Sequence, residues 1–351
     1  MQAAQIKYLE ELLNAPSPSG YEDQAREIWR REMRDVAERV YGDTHGNSFA
    51  VLNETGMPRV MLAGHIDEIG FQISYISEEG YLGFGAIGGF DEQIIPGRRV
   101  VIHTANGPVK GVIGKKAIHL MKKEERDRKM TIDDLWIDIG VESGKKAKKL
   151  VEIGDPVTYA DGFEHLTGDV YISRGVDDRI GAFIVGEVLR YLKGKSFSAA
   201  VYAVATVQEE IGLRGAHTSA FGVNPDVGFA VDVTHAMSPD VSKKLVGEIR
   251  LGKGPVVSRG PNFNPKLFAQ IMQVAKKKKI EVQVDAAPRG TGTDANAIQL
   301  TRAGVATALI SVPNRYMHTP VEMFNLNDVE QIVKLIAETI MSFTAKTDFV
   351  I

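Results

Sequence analysis

Short apolar runs that alternate with amphipathic helices are the feature that most constrains the fold of this chain. From Val170 onward, the β-prone runs AAVYAVAT, DVGFAV and VATALIS are separated by segments with apolar residues at helical spacing. The predicted helices span residues 178–192, 265–278 and 328–344. Such alternation is typical of an open sheet with helices on both faces. We therefore predict an α/β fold with a mixed, mostly parallel sheet flanked by helices.

The first half of the chain interrupts this alternation. Two amphipathic helices and the strands SFAVL and RVMLAG come first, but from about Gly70 the sequence turns into short, glycine-rich β-prone pieces. Asn106-Gly107 is a strong hairpin-turn signal, and the charged segment KKEERDRK is predicted to be a loop. We therefore predict a small β-barrel-like domain over residues 68–166, inserted into a discontinuous catalytic domain of residues 1–67 and 167–351.

Composition excludes several classes of partner. The chain has 44% hydrophobic and 25% charged residues, which is ordinary for a soluble globular enzyme. A net charge of -3 argues against binding to phosphate backbones, and the run from Lys276 to Lys279 is interpreted as a solvated helix end. No apolar stretch approaches the ~20 residues of a membrane span, and the N-terminal helix does not resemble a signal peptide. We predict no nucleic-acid partner, no membrane association and a cytoplasmic location.

Acidic residues and histidines follow four separate apolar runs. Cysteine is absent, so a metal would have to be held by His, Asp and Glu side chains. The carboxyl ends of strands in an open α/β sheet meet at one edge, where loops converge. Two imidazoles and three carboxylates at that edge would suit a pair of divalent cations with one bridging carboxylate, and zinc, cobalt and manganese are all admissible. The candidates are His65, the pair Asp177-Asp178, the pair Glu209-Glu210, Asp232 and His318.

The surroundings of His65 and of the pair Glu209-Glu210 suggest a division of roles. Asp67 lies one strand period after His65 and can orient its imidazole from behind. Adjacent Glu209 and Glu210 would repel each other unless cations or protons neutralise them, so we expect Glu210 to bind metal and Glu209 to take a proton from water. Taken singly, the H-x-D triplet, the glutamate pair and Asp232 each have an ordinary structural explanation. The two glutamates could lie on an exposed turn, and Asp232 could have a capping or salt-bridge role.

The segment GTGTDANA, residues 290–297, is a glycine-rich loop before a helix. It lacks the G-K-[ST] ending of a nucleotide-binding P-loop. We expect it to form a wall of the substrate pocket, with Gly292 and Asp294 as substrate-contacting residues together with Arg315. A helix-capping role for Asp294 explains the same pattern equally well.

The candidate residues lie in the segments AGHIDEIGF, GVDDRIGA, VQEEIGLRGA, VDVTHA, GTGTDANAI and SVPNRYMHTPVEM. Taken together, these segments resemble the glutamyl/deblocking and tetrahedral (TET) aminopeptidases of the co-catalytic dinuclear metallopeptidases. The resemblance extends over essentially the whole chain, in family order. It implies a fold like that of the zinc exopeptidases and dimerisation through residues 68–166, with dimers that build a tetrahedral dodecamer.

The resemblance also distributes roles over the candidate residues. It implies that Asp177 bridges two divalent metal ions, a choice that spacing alone leaves open between Asp177 and Asp178. Zinc is the expected metal, and cobalt or manganese the alternatives. The implied sites are His65 with Asp232 and Glu210 with His318, while Glu209 is the implied general base and Asp67 the orienting carboxylate.

The predicted function is removal of the N-terminal residue from peptides by a bridging water that the metal pair activates. A dinuclear amidohydrolase that deacylates small N-acyl compounds is the closest alternative, and an endoglucanase or a noncatalytic scaffold is less favoured. An endoglucanase would need two carboxylates on opposite sides of a sugar bond, which neighbouring Glu209 and Glu210 do not obviously supply. The side-chain preference of the first pocket stays open.

Overall fold

The computed structural model describes residues 1–239 and 241–351. Within those residues, no helix is long and apolar enough to cross a membrane. The helices in chain order are α1 (Ala3–Asn14), α2 (Asp23–Arg34), α3 (Lys123–Asp127), α4 (Gly144–Ala147), α5 (Val176–Leu192), α6 (Arg214–Val223), α7 (Lys243–Val246), α8 (Pro265–Lys278), α9 (Asp294–Gln299) and α10 (Leu326–Met341).

The strands belong to three sheets. In chain order they are β1 (Arg39–Gly42), β2 (Ser48–Leu52), β3 (Arg59–His65), β4 (Gly70–Ile76), β5 (Leu82–Ile87), β6 (Arg99–Thr104), β7 (Gly107–Lys115), β8 (Leu135–Asp138), β9 (Pro156–Tyr159), β10 (Glu164–Thr167), β11 (Val170–Ser173), β12 (Ala200–Thr206), β13 (Val227–His235), β14 (Val256–Arg259), β15 (Gln283–Ala286), β16 (Ala306–Asn314) and β17 (Glu322–Asn325).

The largest sheet has eight strands in the order β1-β2-β12-β3-β13-β16-β14-β15. Its central pairs β12-β3, β3-β13 and β13-β16 are parallel, as is β14-β15, whereas β1-β2, β2-β12 and β14-β16 are antiparallel. Helices α1, α2, α5, α8 and α10 contribute to the core on one face, and α6 and α9 cover the other. The predicted mixed, mostly parallel sheet flanked by helices is confirmed.

Apolar side chains on both faces explain why the central strands form. All seven residues of β12 are buried, and β3 is buried from Val60 onward. Strands covered by helices on both sides are expected to be apolar throughout rather than alternating. Gly64 lies where β3 meets α5, and a Cβ there would overlap the backbone of Gly181. The helix therefore packs directly on the strand that ends at His65.

The second sheet closes into a six-stranded barrel in the order β4-β5-β8-β7-β6-β9. All of its strands lie between Gly70 and Tyr159, and it has a core of its own that includes Phe71 and Phe84. The hairpin predicted at Asn106-Gly107 joins β6 to β7. The inserted barrel of the predicted fold is therefore confirmed.

One local prediction in the barrel is wrong. The segment KKEERDRK, predicted to be a loop, contains the single-turn helix α3. The carboxylate of Glu125 accepts the backbone N–H of Lys122 at 2.7 Å, which satisfies a donor that the first turn leaves free.

The third sheet has the strand order β10-β11-β17 and contacts α5 through β17. Strands β11 and β17 are antiparallel, and Ser173 pairs with Glu322 at the end of this ladder. Asp177 lies four residues after Ser173, and His318 lies four residues before Glu322. This small sheet therefore fixes how two candidate ligand segments approach each other.

Candidate metal centre

Strand register places the first candidate ligands on one face of the large sheet. His65 is the last residue of β3 and pairs with Thr206, the last residue of β12. Asp232 was predicted to close its strand, but β13 continues to His235 because it stays paired with β16 over that stretch. The pairing of β13 with β3 ends at Ala230, so Asp232 lies two residues beyond the last position at which these two strands are paired.

Asp177 lies between the two candidate imidazoles. Its Oδ1 is 3.1 Å from Nε2 of His65, and its Oδ2 is 3.3 Å from Nε2 of His318. The same nitrogen of His318 is 3.5 Å from Oε2 of Glu210. Each oxygen of Asp177 thus faces a different histidine, which is the arrangement that a carboxylate shared by two cations requires.

Two overlapping groups of side chains could hold a metal ion. Within each group, one potential ligand atom per residue lies within 4.8 Å of the others, and His65 belongs to both. One group adds Asp177 and Glu210, and the other adds Asp178 and Asp232. The structure therefore brings His65, Glu210 and Asp232 together with the pair Asp177-Asp178. His318 lies in neither group and reaches the centre through its contact with Asp177.

Asp178 differs from Asp177 in what its oxygens contact. Its Oδ2 accepts the backbone N–H of His65 and its Oδ1 accepts that of Gly181, both at 3.1 Å. Both residues have backbone angles outside the helical region, so regular helix begins only after them.

Buried negative charge is concentrated at this centre. Burial, together with Asp177, raises the pKa of Asp232 to about 8. Burial raises the pKa of Glu209 to about 10, with Asp232 adding to the effect and His65 opposing it. For Asp177 burial acts in the same direction, but hydrogen bonds with His318 and His65 outweigh it and hold its pKa below the ordinary value. Neighbouring carboxylates in such a setting must bind protons or cations.

The donor set fits divalent cations. Oε1 of Glu210 is buried and has no hydrogen-bond partner among the described residues. A buried carboxylate oxygen without a partner is costly in a folded protein, and a cation would satisfy it. Imidazole and carboxylate ligands suit zinc, cobalt and manganese.

A family model described as M42 glutamyl aminopeptidase matches residues 46–335. The chain belongs to the M42 aminopeptidase family. It is therefore a metal-dependent aminopeptidase, a hydrolase of the exopeptidase class, and the predicted family and function are confirmed.

Individual relatives agree with this assignment. The lysyl aminopeptidase of Pyrococcus furiosus is 39% identical over 97% of this chain and 98% of its own length. A TET aminopeptidase from a marine sediment Thaumarchaeota archaeon superposes with a TM-score of 0.92, at 35% identity over 97% and 96% of the two chains. The TET1 peptidase of Pyrococcus horikoshii, which can assemble into a tetrahedron or a large octahedral shell, has a TM-score of 0.86 at 36% identity, over 97% of this chain and all of its own.

In this M42 aminopeptidase, Asp67 holds several parts of the centre at once. Its Oδ1 accepts the backbone N–H of Glu209 at 3.0 Å and lies 3.5 Å from Nδ1 of His65, which is closer, at 3.1 Å, to the backbone carbonyl of Asp67. Its Oδ2 accepts the N–H of Glu210 at 3.2 Å and the hydroxyl of Ser19 at 2.6 Å. The contact with His65 was predicted from spacing, but the contacts with both glutamate backbones and Ser19 were not.

Sequence reasoning missed Glu322 entirely. Its side chain is 1% exposed, and its two oxygens accept the backbone N–H groups of Asp177 at 3.1 Å and His318 at 2.8 Å. Glu322 lies in the quoted segment SVPNRYMHTPVEM, where an acidic residue at the start of a buried strand was the available signal.

A buried ion network was missed as well. Glu68 follows Asp67 directly, and its oxygens accept hydrogen bonds from the guanidinium groups of Arg174 and Arg179. Arg179 is fully buried, and burial lowers its pKa to about 10 although Glu68 opposes this shift. The network joins the end of β3 to the start of α5.

The three predicted substrate-contacting residues of the aminopeptidase lie in different settings. Asp294 is the first residue of α9 and is buried, with Oδ2 accepting the hydroxyl of Thr206 at 2.6 Å. Its other oxygen, Oδ1, has no hydrogen-bond partner among the described residues, so the side chain does not cap that helix. Gly292 lies in the preceding loop at φ +73°, and the guanidinium of Arg315 donates to the carbonyl of Met237 at 2.7 Å.

Proposed function

We propose that this aminopeptidase holds two divalent cations, with Asp177 as the shared ligand. His65 and Asp232 would complete one site, and Glu210 and His318 the other. The contact of each Asp177 oxygen with a different imidazole is the observation that carries this proposal. The backbone hydrogen bonds that occupy both oxygens of Asp178 support Asp177 over its neighbour.

Glu209 is the general base of the proposed mechanism. Its Oε2 lies 3.8 Å from Nε2 of His65. Burial raises its pKa in the metal-free protein, and cations bound beside it would favour the ionised form, which can accept a proton. When bound, the cations supply Lewis acidity that polarises the scissile carbonyl and acidifies the attacking water. Glu209 accepts the proton of that water and passes it to the leaving amine. Asp67 keeps the imidazole of His65 and the backbone of Glu209 in place.

Substrate contacts are proposed for the loop around Gly292 and Asp294 and for Arg315. Asp294 lies close enough to Glu209 and Asp232 to raise the pKa of both, which supports a position beside the reacting groups. Arg315 is three residues before His318 in the same connection. Peptides with a free N-terminus are the proposed substrates.

Zinc is the proposed metal, with cobalt and manganese as alternatives, and the cytoplasm is the proposed location. We propose further that residues 68–166 form a dimerisation domain inserted between residues 1–67 and 167–351, and that dimers assemble into a tetrahedral dodecamer. Large apolar side chains that such an interface could cover are exposed on this segment, among them Tyr75, Val112 and Ile153. The assembly of the Pyrococcus horikoshii relative supports the tetrahedral form.

Glu209→Gln tests the assignment of the base. The variant should still bind two cations but lose roughly 10²- to 10⁴-fold in kcat, the usual contribution of general acid–base catalysis. Glu210→Gln, the matched control one residue away, should lose metal as well as activity. Metal content by mass spectrometry and hydrolysis of aminoacyl chromogenic substrates with zinc, cobalt or manganese would measure both effects. Normal turnover by Glu209→Gln with two cations bound would exclude Glu209 as the base.

The comparison of a free peptide with its N-acetylated form tests the reaction class. An exopeptidase of this kind should hydrolyse the free peptide and leave the acetylated one intact. Preference for the acetylated form would favour the deacylase alternative instead.

A further inference from the structure

Glu322 joins the two backbone segments that carry His318 and Asp177. The two bonded N–H groups are separated by 141 positions in the chain, yet one buried carboxylate accepts both. The side chains of the same two residues meet at 3.3 Å. A single group therefore fixes both backbones of a contact between two proposed ligands.

Both backbones need such a partner. His318 has φ +60°, in the left-handed region that residues other than glycine seldom adopt. Asp177 has extended angles at the start of α5, where N–H groups lack partners within the helix. Hydrogen bonds to a carboxylate are stronger than those to neutral acceptors, so Glu322 stabilises conformations that the chain would not adopt by itself.

The position of Glu322 is itself fixed by strand pairing. It opens β17 and pairs with Ser173 at the end of β11. From this pair the chain reaches Asp177 in one direction and His318 in the other, each after four residues. The carboxylate consequently has little freedom to follow a shifted ligand.

His65 and Asp232, in contrast, depend on other supports. The backbone of His65 bonds to Asp178, and its ring lies beside Asp67. Asp232 lies within the paired part of β13 and β16. Loss of Glu322 would therefore act on the two sites unequally.

We propose that Glu322 is a positioning residue that sets the affinity of the Glu210–His318 site for its cation, and that it affects the His65–Asp232 site less because only the shared ligand Asp177 connects Glu322 to that site. This inference rests on the proposed dinuclear centre. Residues that hold metal ligands from behind typically change metal affinity by roughly 10- to 100-fold when they are substituted. In Glu322→Gln, one of the two acceptor oxygens becomes an NH₂ group that faces an N–H donor.

Calorimetric titration of the full-length, chelator-stripped protein with zinc tests the inference. Wild type should bind two equivalents, and Glu322→Gln should show one site weakened roughly 10- to 100-fold and the other weakened less. Glu210→Gln identifies which of the two sites is affected. Glu164→Gln, an exposed position on β10 of the same small sheet, is the matched control and should bind as wild type.

The outcomes separate the two proposals. Fewer than two equivalents in wild type would contradict the dinuclear centre itself. Two equivalents in wild type, with both affinities unchanged or both reduced alike in Glu322→Gln, would overturn the positioning role alone. If Glu322→Gln does not fold, Glu322→Asp keeps the charge and should weaken the same site to a smaller extent. Unchanged affinities in a folded Glu322→Asp would likewise overturn the inference.

Discussion

Glu68→Gln should destabilise the protein measurably without touching a proposed metal ligand. Glu68 is 2% exposed, and its carboxylate accepts hydrogen bonds from the guanidinium groups of Arg174 and Arg179 and from the backbone N–H of Ser17. The substitution removes the negative charge that faces two buried guanidinium groups and leaves the volume of the side chain almost unchanged.

The expected loss follows from the burial of both arginines. Removal of one partner from a buried ion pair costs roughly 3–5 kcal/mol because the other charge stays in a poorly solvated place. Glutamine keeps one acceptor oxygen, and Arg179 keeps backbone partners such as the carbonyls of Gly175 and Arg174. We therefore expect Glu68→Gln to lower the free energy of unfolding by about 3 kcal/mol, the lower end of that range. For a chain of 351 residues, the entropy of unfolding is about 0.7 kcal/mol per kelvin, so the Tm should fall by about 4 °C.

Differential scanning calorimetry at a fixed metal concentration would measure this change. Glu79→Gln, at an exposed turn of the barrel, should alter stability by less than ~0.5 kcal/mol, since surface substitutions usually do. A Tm for Glu68→Gln that is equal to or above that of wild type would refute the argument that this charge neutralises both arginines.

Two further predictions concern packing and pH. Gly64→Ala should destabilise the fold by at least ~1–3 kcal/mol, because the added Cβ would overlap the backbone of Gly181. The control is Gly85→Ala, whose added Cβ would meet nothing within 4 Å. Equal Tm values for the two variants would contradict the prediction. Asp232 has a folded pKa of about 8, well above its unfolded value, so its contribution to the stability of the metal-free protein is present below pH ~4 and is lost as the pH rises through about 8. Added zinc should reverse this trend because cations bind the deprotonated carboxylates. Thermal melts from pH 5 to 8, with and without zinc, would measure both trends. A Tm that falls with rising pH in the presence of zinc as well would contradict the prediction.

The sequence by itself determined the sheet and the edge at which the candidate ligands gather. Apolar runs covered by helices must form interior strands, and the polar residues that follow them must emerge at the carboxyl edge. His65, Glu209 and Glu210 could therefore be located from local patterns alone. The period of two also predicted the contact of Asp67 with His65.

Only the tertiary structure decided how neighbouring acids differ. Asp177 and Asp178 are adjacent and chemically identical, but one faces two imidazoles and the other bonds to the backbone of β3 and α5. That difference depends on backbone angles, and Glu322 helps to hold them from 145 residues away. Hydrogen bonds between segments so distant in the chain leave no periodic trace in the sequence, so Glu322 and the partners of Glu68 become visible only when the chain is folded.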